Sequence, residues 1–170
     1  MENLRNIFEE RNVNVFNTPL EVGLRTLHIL NAIRPMEIDI NTLVIFDYFL
    51  LNSQDFPNGP KSLHPSTPHR SSQIIIKPPI LKEGLNLMIS KDLIEIIFTN
   101  DGIKYKSNDL TEKFLEYLDN SYSRKLNQIS IWLKHEFNNY NLNKLETFVR
   151  NNIPNWGSEF IYESLIREHE

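Results

Sequence analysis

Chemistry at neutral pH needs a nucleophile, an acid–base pair or a metal cluster. This 170-residue chain offers few of the side chains that build one. It has no cysteine, which removes disulfides, thiolate nucleophiles and the commonest structural zinc sites. Its histidines are His28, His64, His69, His135 and His169, and only His64 and His69 are close in sequence. Pro-Ser-Thr-Pro separates them, no carboxylate lies beside them, and the spacing matches no helix-borne ligand pattern. A structural or surface role outweighs metal binding for this pair. The five glycines are scattered, so no loop cradles phosphate, and no Gly-x-Ser-x-Gly elbow presents a serine. The expectation is a protein with no catalytic residues, no metal ligands and no cofactor.

Recognition is the remaining chemistry. The formal net charge of −4 has the wrong sign for a chain that mainly coats nucleic acid. The charge is uneven, however: residues 54–107 carry seven cations against five anions. Within that stretch Lys82 and Lys91, on a helical pattern, and Lys104 and Lys106, on an extended one, are candidate phosphate contacts. Asn86 is a candidate base contact, but no arginine lies on that helix, and a solvated helix face explains the same residues. A second group is aromatic: Trp132, Phe137, Tyr140, Phe148, Trp156 and Phe160 near the C-terminus suit a protein interface, with ordinary core packing as the competing reading.

The elements that position these groups follow from spacing. Residues 1–17 could hold a short helix (Leu4, Ile7, Phe8) and an extended Val-Asn-Val-Phe. Thr18-Pro19-Leu20-Glu21 starts a helix with a cap, a proline at the first position and a capping-box glutamate. Leu20, Leu24, Leu27 and Leu30 mark its apolar face, and Pro35 stops it. Asp39 or Asn41 opens Thr-Leu-Val-Ile-Phe-Asp-Tyr-Phe-Leu-Leu, apolar nearly all round and therefore a core helix. Asp47 is its odd member and is expected on a narrow wet stripe, since an unpartnered buried carboxylate is expensive. A long segment with Pro57, Pro60, Pro65 and Pro68 follows, of the kind that is functional or disordered, and its prolines favour a fixed excursion. Ser71 or Ser72 caps the third helix, which Pro78-Pro79 kinks or restarts at Pro79. Leu-Ile-Glu-Ile-Ile-Phe-Thr and Ile-Lys-Tyr-Lys-Ser then form a hairpin reversed at Asp101-Gly102.

Helix, helix, helix, hairpin is the order of a winged helix. The fold class expected is therefore mainly α with a small β-hairpin, a winged-helix-like core followed by C-terminal helices. Residues 1–107 form the core with an N-terminal arm, and residues 108–170 form a helical extension packed on or beside it. In the extension Asp109 and Glu112 read as a capping box. Tyr122, Leu126, Ile129, Leu133, Phe137 and Tyr140 mark a helix of roughly five turns. Leu142, Leu145, Phe148, Val149 and Ile153 mark another, ended by Pro154, and the last residues form a short helix. No apolar run reaches the roughly 18 residues of a membrane span, and the N-terminus lacks a signal-peptide pattern, so a cytoplasmic location is expected.

Three stretches carry a family resemblance: Phe-Asn-Thr-Pro-Leu-Glu-Val-Gly-Leu-Arg-Thr-Leu-His-Ile-Leu from Phe16, Leu-Val-Ile-Phe-Asp-Tyr-Phe-Leu-Leu-Asn-Ser-Gln-Asp from Leu43, and Gly-Pro-Lys-Ser-Leu-His-Pro-Ser-Thr-Pro-His-Arg-Ser from Gly59. Together with the following helix and wing they resemble the middle component of prokaryotic ABC-three-component systems, Lamassu-type defence operons, over approximately Val15 to Phe137. The resemblance implies a cytoplasmic, non-catalytic subunit. It would bind an ATPase of the structural-maintenance-of-chromosomes kind and help it hold or sense foreign DNA, with a separate effector chain, often a nuclease. The sequence departs from the family pattern, a more charged and unbroken helix, at Ile74-Ile75-Ile76 and Pro78-Pro79, which puts in doubt the transfer of the family's DNA contacts along that helix. On this resemblance the loop residues Lys61, His64, His69 and Arg70 are candidates for docking on the ATPase or on DNA phosphate. Arg70 alternatively pairs internally with Asp47 or Glu21. The alternative function is a stand-alone winged-helix DNA-binding regulator.

Overall fold

The computed structural model describes residues 17–138 and 142–156. The expected elements around Leu4–Phe16, Tyr140 and the last short helix lie outside them. Seven helices and one hairpin follow in order: α1 (Pro19–Ala32), α2 (Ile40–Leu51), α3 (Ser72–Ile76), α4 (Pro78–Ile89), β1 (Ile94–Thr99), β2 (Gly102–Ser107), α5 (Asp109–Glu116), α6 (Ser121–Asn138) and α7 (Leu142–Asn152). The fold is mainly α with a two-stranded antiparallel hairpin, as expected. α1, α2, α4 and the hairpin give a winged-helix-like arrangement. A backbone bridge supports it: Ile38 N–H donates to Tyr105 O and Tyr105 N–H to Ile38 O, so the α1–α2 connection lies beside β2 as a third, minimal strand.

Local chemistry accounts for most boundaries. Thr18 Oγ1 accepts the Glu21 N–H, with Pro19 in the first helical position. The Glu21 carboxylate does not close a box on Thr18; it reaches one residue further, to the Asn17 N–H at 2.8 Å. Asp39 caps α2 by accepting from Thr42 N. Asn108, not Asp109, caps α5, in a capping box with Thr111. Asp109 and Glu112 face Arg34 instead, and tie the end of α1 to the start of α5. Pro78 begins a fresh helix after one turn of α3, one residue earlier than the sequence suggests, and Ser71 makes no side-chain cap. In the hairpin Thr99 pairs with Gly102 across Asn100-Asp101, and the positive φ falls on Gly102 alone of that turn.

The core is one cluster running from Val22 to Trp156, so α6 and α7 share it with α1, α2 and α4. Leu20, expected on the apolar face of α1, is 56% exposed, while the segment from Arg25 to Leu30 is buried throughout. Aromatic rings join α2 to the later elements. Phe46 stacks on Phe137 (4.9 Å between centroids) and Tyr48 on Trp156 (5.0 Å), while Phe56 meets Trp132 edge-on. Such pairs add to area burial. His28 is buried with them. Its Nε2 lies 3.0 Å from Ser123 Oγ, and burial pushes its pKa down to about 4.

α1 and α4 cross where Gly23 meets Gly84. A Cβ on Gly84 would stand 2.8 Å from Gly23 N and 2.9 Å from Pro19 O, both backbone atoms that cannot turn aside. In an uncrowded helix Gly84→Ala would gain about 1 kcal/mol from propensity. Here overpacking reverses the sign, and a net loss of about 1–3 kcal/mol is expected in urea unfolding. An unchanged or raised midpoint would show that the crossing has slack.

Candidate functional site

The stretches that carry the family resemblance converge on two buried ion clusters. The first is built on Asp47. α2 is apolar on every side, so no wet stripe exists for this residue, and the expectation of an exposed Asp47 is corrected: its exposure is 0%. Arg25 of α1 donates Nε–H to Oδ1 at 2.6 Å and Nη2–H to Oδ2 at 3.2 Å. Lys77, at the α3–α4 junction, donates to Oδ2 at 2.9 Å. Arg25 also reaches Glu21 Oε1 (2.8 Å) and Asn17 Oδ1 (3.2 Å), so two cations and two carboxylates close a neutral network. Burial alone would raise the Asp47 pKa, but the charges of Lys77 and Arg25 outweigh it and hold the carboxyl at about 2. Burial would lower the Arg25 pKa, and the Asp47 charge raises it instead. Both groups stay charged near neutrality and carry no labile proton, which makes this a structural centre and not an acid–base pair.

The second cluster fixes the proline-rich loop. Arg70 grips Asp55 in a two-point fork, Nε to Oδ2 at 2.7 Å and Nη2 to Oδ1 at 2.6 Å, and Tyr48 O–H donates to the same Oδ2 at 2.5 Å. Burial and then the Asp55 bond push the Tyr48 phenol well above its usual range. Arg70 thus pairs internally, but with Asp55 and not with Asp47 or Glu21. The first part of the intervening loop is tied down as well. Ser53 Oγ donates to Pro60 O, and Gln54 and Ser62 exchange side chain-to-backbone bonds at 3.2 and 3.3 Å. Gly59 lies so close to Ser53 O that a Cβ would stand 1.8 Å away. His64 is half-buried near Tyr122 O–H, and burial lowers its pKa; His69 and Lys61 are exposed. Lys61, His64, His69 and Arg70 therefore share one ordered segment, with Arg70 as its anchor.

Between this loop and α6 runs an open groove of about 790 Å³, lined by Lys61, Leu63, His64, Lys125, Ile129 and Trp132 among others. Trp132 is half-buried there; Phe137 and Trp156, grouped with it in the sequence, lie in the core with their rings stacked on α2. Composition cannot separate these cases, because an aromatic stripe at helical spacing looks the same whether it is covered or not.

The wing and α4 hold the remaining candidates. Lys82 and Lys91 are exposed and make no ion pair among the described residues. Lys104 stands 3.8 Å from Glu37, and Lys106 3.1 Å from Glu95, so the wing cations are partly neutralised within the chain. The tip of the wing is apolar, with the cross-strand pair Phe98 and Ile103 uncovered (79% and 49% exposed). The exposed alternate positions could be read from the Ile-Glu-Ile-Ile-Phe pattern only once the inner face was known. Among the described residues, no group of three or more His, Asp or Glu could hold a metal, and no helix is long and apolar enough to cross a membrane.

Two outcomes follow from the buried charges. Asp47→Asn keeps shape but leaves two buried cations short of a counter-charge, and should cost about 3–5 kcal/mol in denaturant unfolding, whereas replacing Arg25, Asp47 and Lys77 together by Met, Leu and Met should recover most of it. A loss well under 1 kcal/mol for the single change would mean that the network carries little weight. With pH, both shifted groups act in the same direction. His28, lowered from 6.5 to about 4, makes the unfolded chain bind its proton first, so stability falls as pH drops from 6.5 toward 4. The fall is on the order of 3 kcal/mol. Asp47, lowered from 3.8 to about 2, removes its contribution only below that window. Melts across pH should show the upper slope reduced in His28→Gln, with the part from His64, whose pKa burial also lowers, left in place and the lower slope unchanged.

The geometry describes a rigid body with recognition surfaces and internal charge pairs. No curated protein and no solved structure matches this chain. A family model does: ABC-three component (ABC-3C) system Middle Component 2, over residues 15–159. A middle component implies partnership with the other components of its system, which makes this chain an accessory subunit by family. The match takes in both ion clusters, the loop and the wing, and the chain belongs to the ABC-3C Middle Component 2 family.

Proposed function

We propose that the chain is a non-catalytic, cytoplasmic subunit that binds the SMC-like ATPase of a Lamassu-type defence complex and supports DNA engagement or effector control. The family match carries this reading. The structure supports it in two ways: the buried charges of Arg25, Asp47, Asp55, Arg70 and Lys77 are spent on internal pairing, and the loop is anchored to the body, which lowers the entropy lost on docking. The loop presents Lys61 and His69 outward and His64 half-buried beside Tyr122, with Arg70 holding it in place. Through the ATPase the chain works with an effector, often a nuclease, on a separate polypeptide. Lys82 on α4 and Lys91 in the turn after it add phosphate contacts, and the half-neutralised Lys104 and Lys106 contribute less.

The test is co-expression of the tagged chain with the components encoded beside it. The ATPase is expected to co-purify. The chain by itself should bind duplex DNA weakly, with log K falling against log salt at a slope of about −2, as two phosphate contacts require. A chain that emerges alone and binds one duplex sequence tightly, with a steeper slope, is a stand-alone winged-helix regulator, and the subunit reading is then wrong.

A further inference from the structure

On the reading of the chain as a docking subunit, we infer that the groove between the proline-rich loop and α6 receives an extended, acidic segment of a partner protein, anchored by apolar side chains. Three observations carry this. The floor is apolar, built by Leu63, Ile129 and the half-buried Trp132 with loop prolines beside them, and an apolar floor takes an apolar anchor. Among the described lining residues the charged side chains are cationic: Lys61 and Lys125 stand there with no described carboxylate beside them, in a chain whose formal net charge is −4. Neither lysine makes an ion pair among the described residues, whereas Arg25, Arg70, Lys77, Lys104 and Lys106 all do. The walls are also set in advance. The Gln54–Ser62 exchange, the Ser53–Pro60 bond and the Asp55–Arg70 fork hold the loop, and α6 is a regular helix on the core.

The volume, about 790 Å³, suits a short run of side chains and not a folded domain. A nucleic-acid strand fits less well, because two lysines are a small charge for a backbone track. Electrostatic complementarity at such a rim selects the partner and its register, while the buried anchor supplies most of the affinity.

The experiment uses the co-expressed complex. A zero-length carbodiimide crosslinker joins a lysine amine to a carboxylate in direct ion-pair contact, and mass spectrometry of the joined peptides locates both ends. The expected result is Lys61 or Lys125 joined to an Asp or Glu flanked by apolar residues on a partner component. Lys61→Glu with Lys125→Glu should reduce the partner retained by about tenfold, as the loss of two rim charges implies. Lys113→Glu with Lys144→Glu, on α5 and α7 away from the groove, should leave retention unchanged. Melting temperatures of both double variants should match the wild type, since all four side chains are exposed. The inference is overturned if the groove double variant retains its partner in full, or if the crosslinks run only to carboxylates of this same chain. It is equally overturned if the groove variant loses only duplex DNA binding. Failure of the wild-type chain to retain any component strikes at the subunit reading itself, which separates the two.

Discussion

An ionised carboxylate at the centre of an apolar helix dictates how the other helices pack. Asp47 has no route to water, and leaving it unpaired would cost an amount comparable with the whole stability of a small domain. The compact arrangement that avoids this cost brings Arg25 of α1 and Lys77 of the α3–α4 junction to the same two oxygens. A slip of α1 by one turn would carry the guanidinium about 5 Å away, so the pair fixes that helix along its axis. The Gly23–Gly84 contact fixes it sideways, because there the two backbones touch. A buried pair of this kind contributes less to net stability than to the choice of one packing over its neighbours. Glu21 extends the constraint to the first turn of α1, where its other oxygen holds Asn17 N–H and so sets how the chain enters the helix.

Features settled within a few residues were legible in the chain. Thr18-Pro19 starts α1, Asp39 caps α2, and Gly102 closes the hairpin, because a cap or a positive φ depends on local geometry. Where two local solutions compete, the reading slipped by one residue. Asn108 with Thr111 and Asp109 with Glu112 satisfy the same cap pattern, and Arg34, distant in sequence, draws the second pair away. Asp47 was harder. An all-apolar helix already implied that no polar face was available, yet its partners Arg25 and Lys77 are 22 and 30 residues away and bear no mark of the pairing. An arginine fork suits an internal pair or a docking contact equally, and Asp55 is selected over Asp47 or Glu21 only by the folding of the loop back on α2.

Trp132, Phe137 and Trp156 illustrate the limit from the other side. All three belong to helical or near-helical aromatic stripes, and their difference lies in what the rest of the chain places over them. Phe46 and Tyr48 cover Phe137 and Trp156, whereas Trp132 keeps one side toward the groove. The wing shows the converse. Its alternation suits a half-buried edge strand, and the inner face is buried at Ile94 and Ser107, but none of the described residues covers Phe98 and Ile103 at the tip.

This separation bears on what membership of the family means for one chain. Glu21, Gly23, Arg25, Asp47, Tyr48 and Arg70 lie in the stretches on which the resemblance rests, and each is spent on an internal bond or a close backbone contact. Those residues specify a body: a charge that must be satisfied, a crossing that admits no side chain, a loop that must fold back. They leave partner choice to positions that the body merely holds in place. Lys61 and Lys125 at the groove, Lys82 on α4, Lys91 just after it, and the apolar tip of the wing can all change without disturbing the buried clusters. A family signature written mostly inside the molecule is therefore good evidence for the fold and the kind of assembly, and weak evidence for which partner is met. Recognition has to be read from the surface of the individual chain, where charge left unpaired and apolar area left uncovered mark what the fold itself does not use.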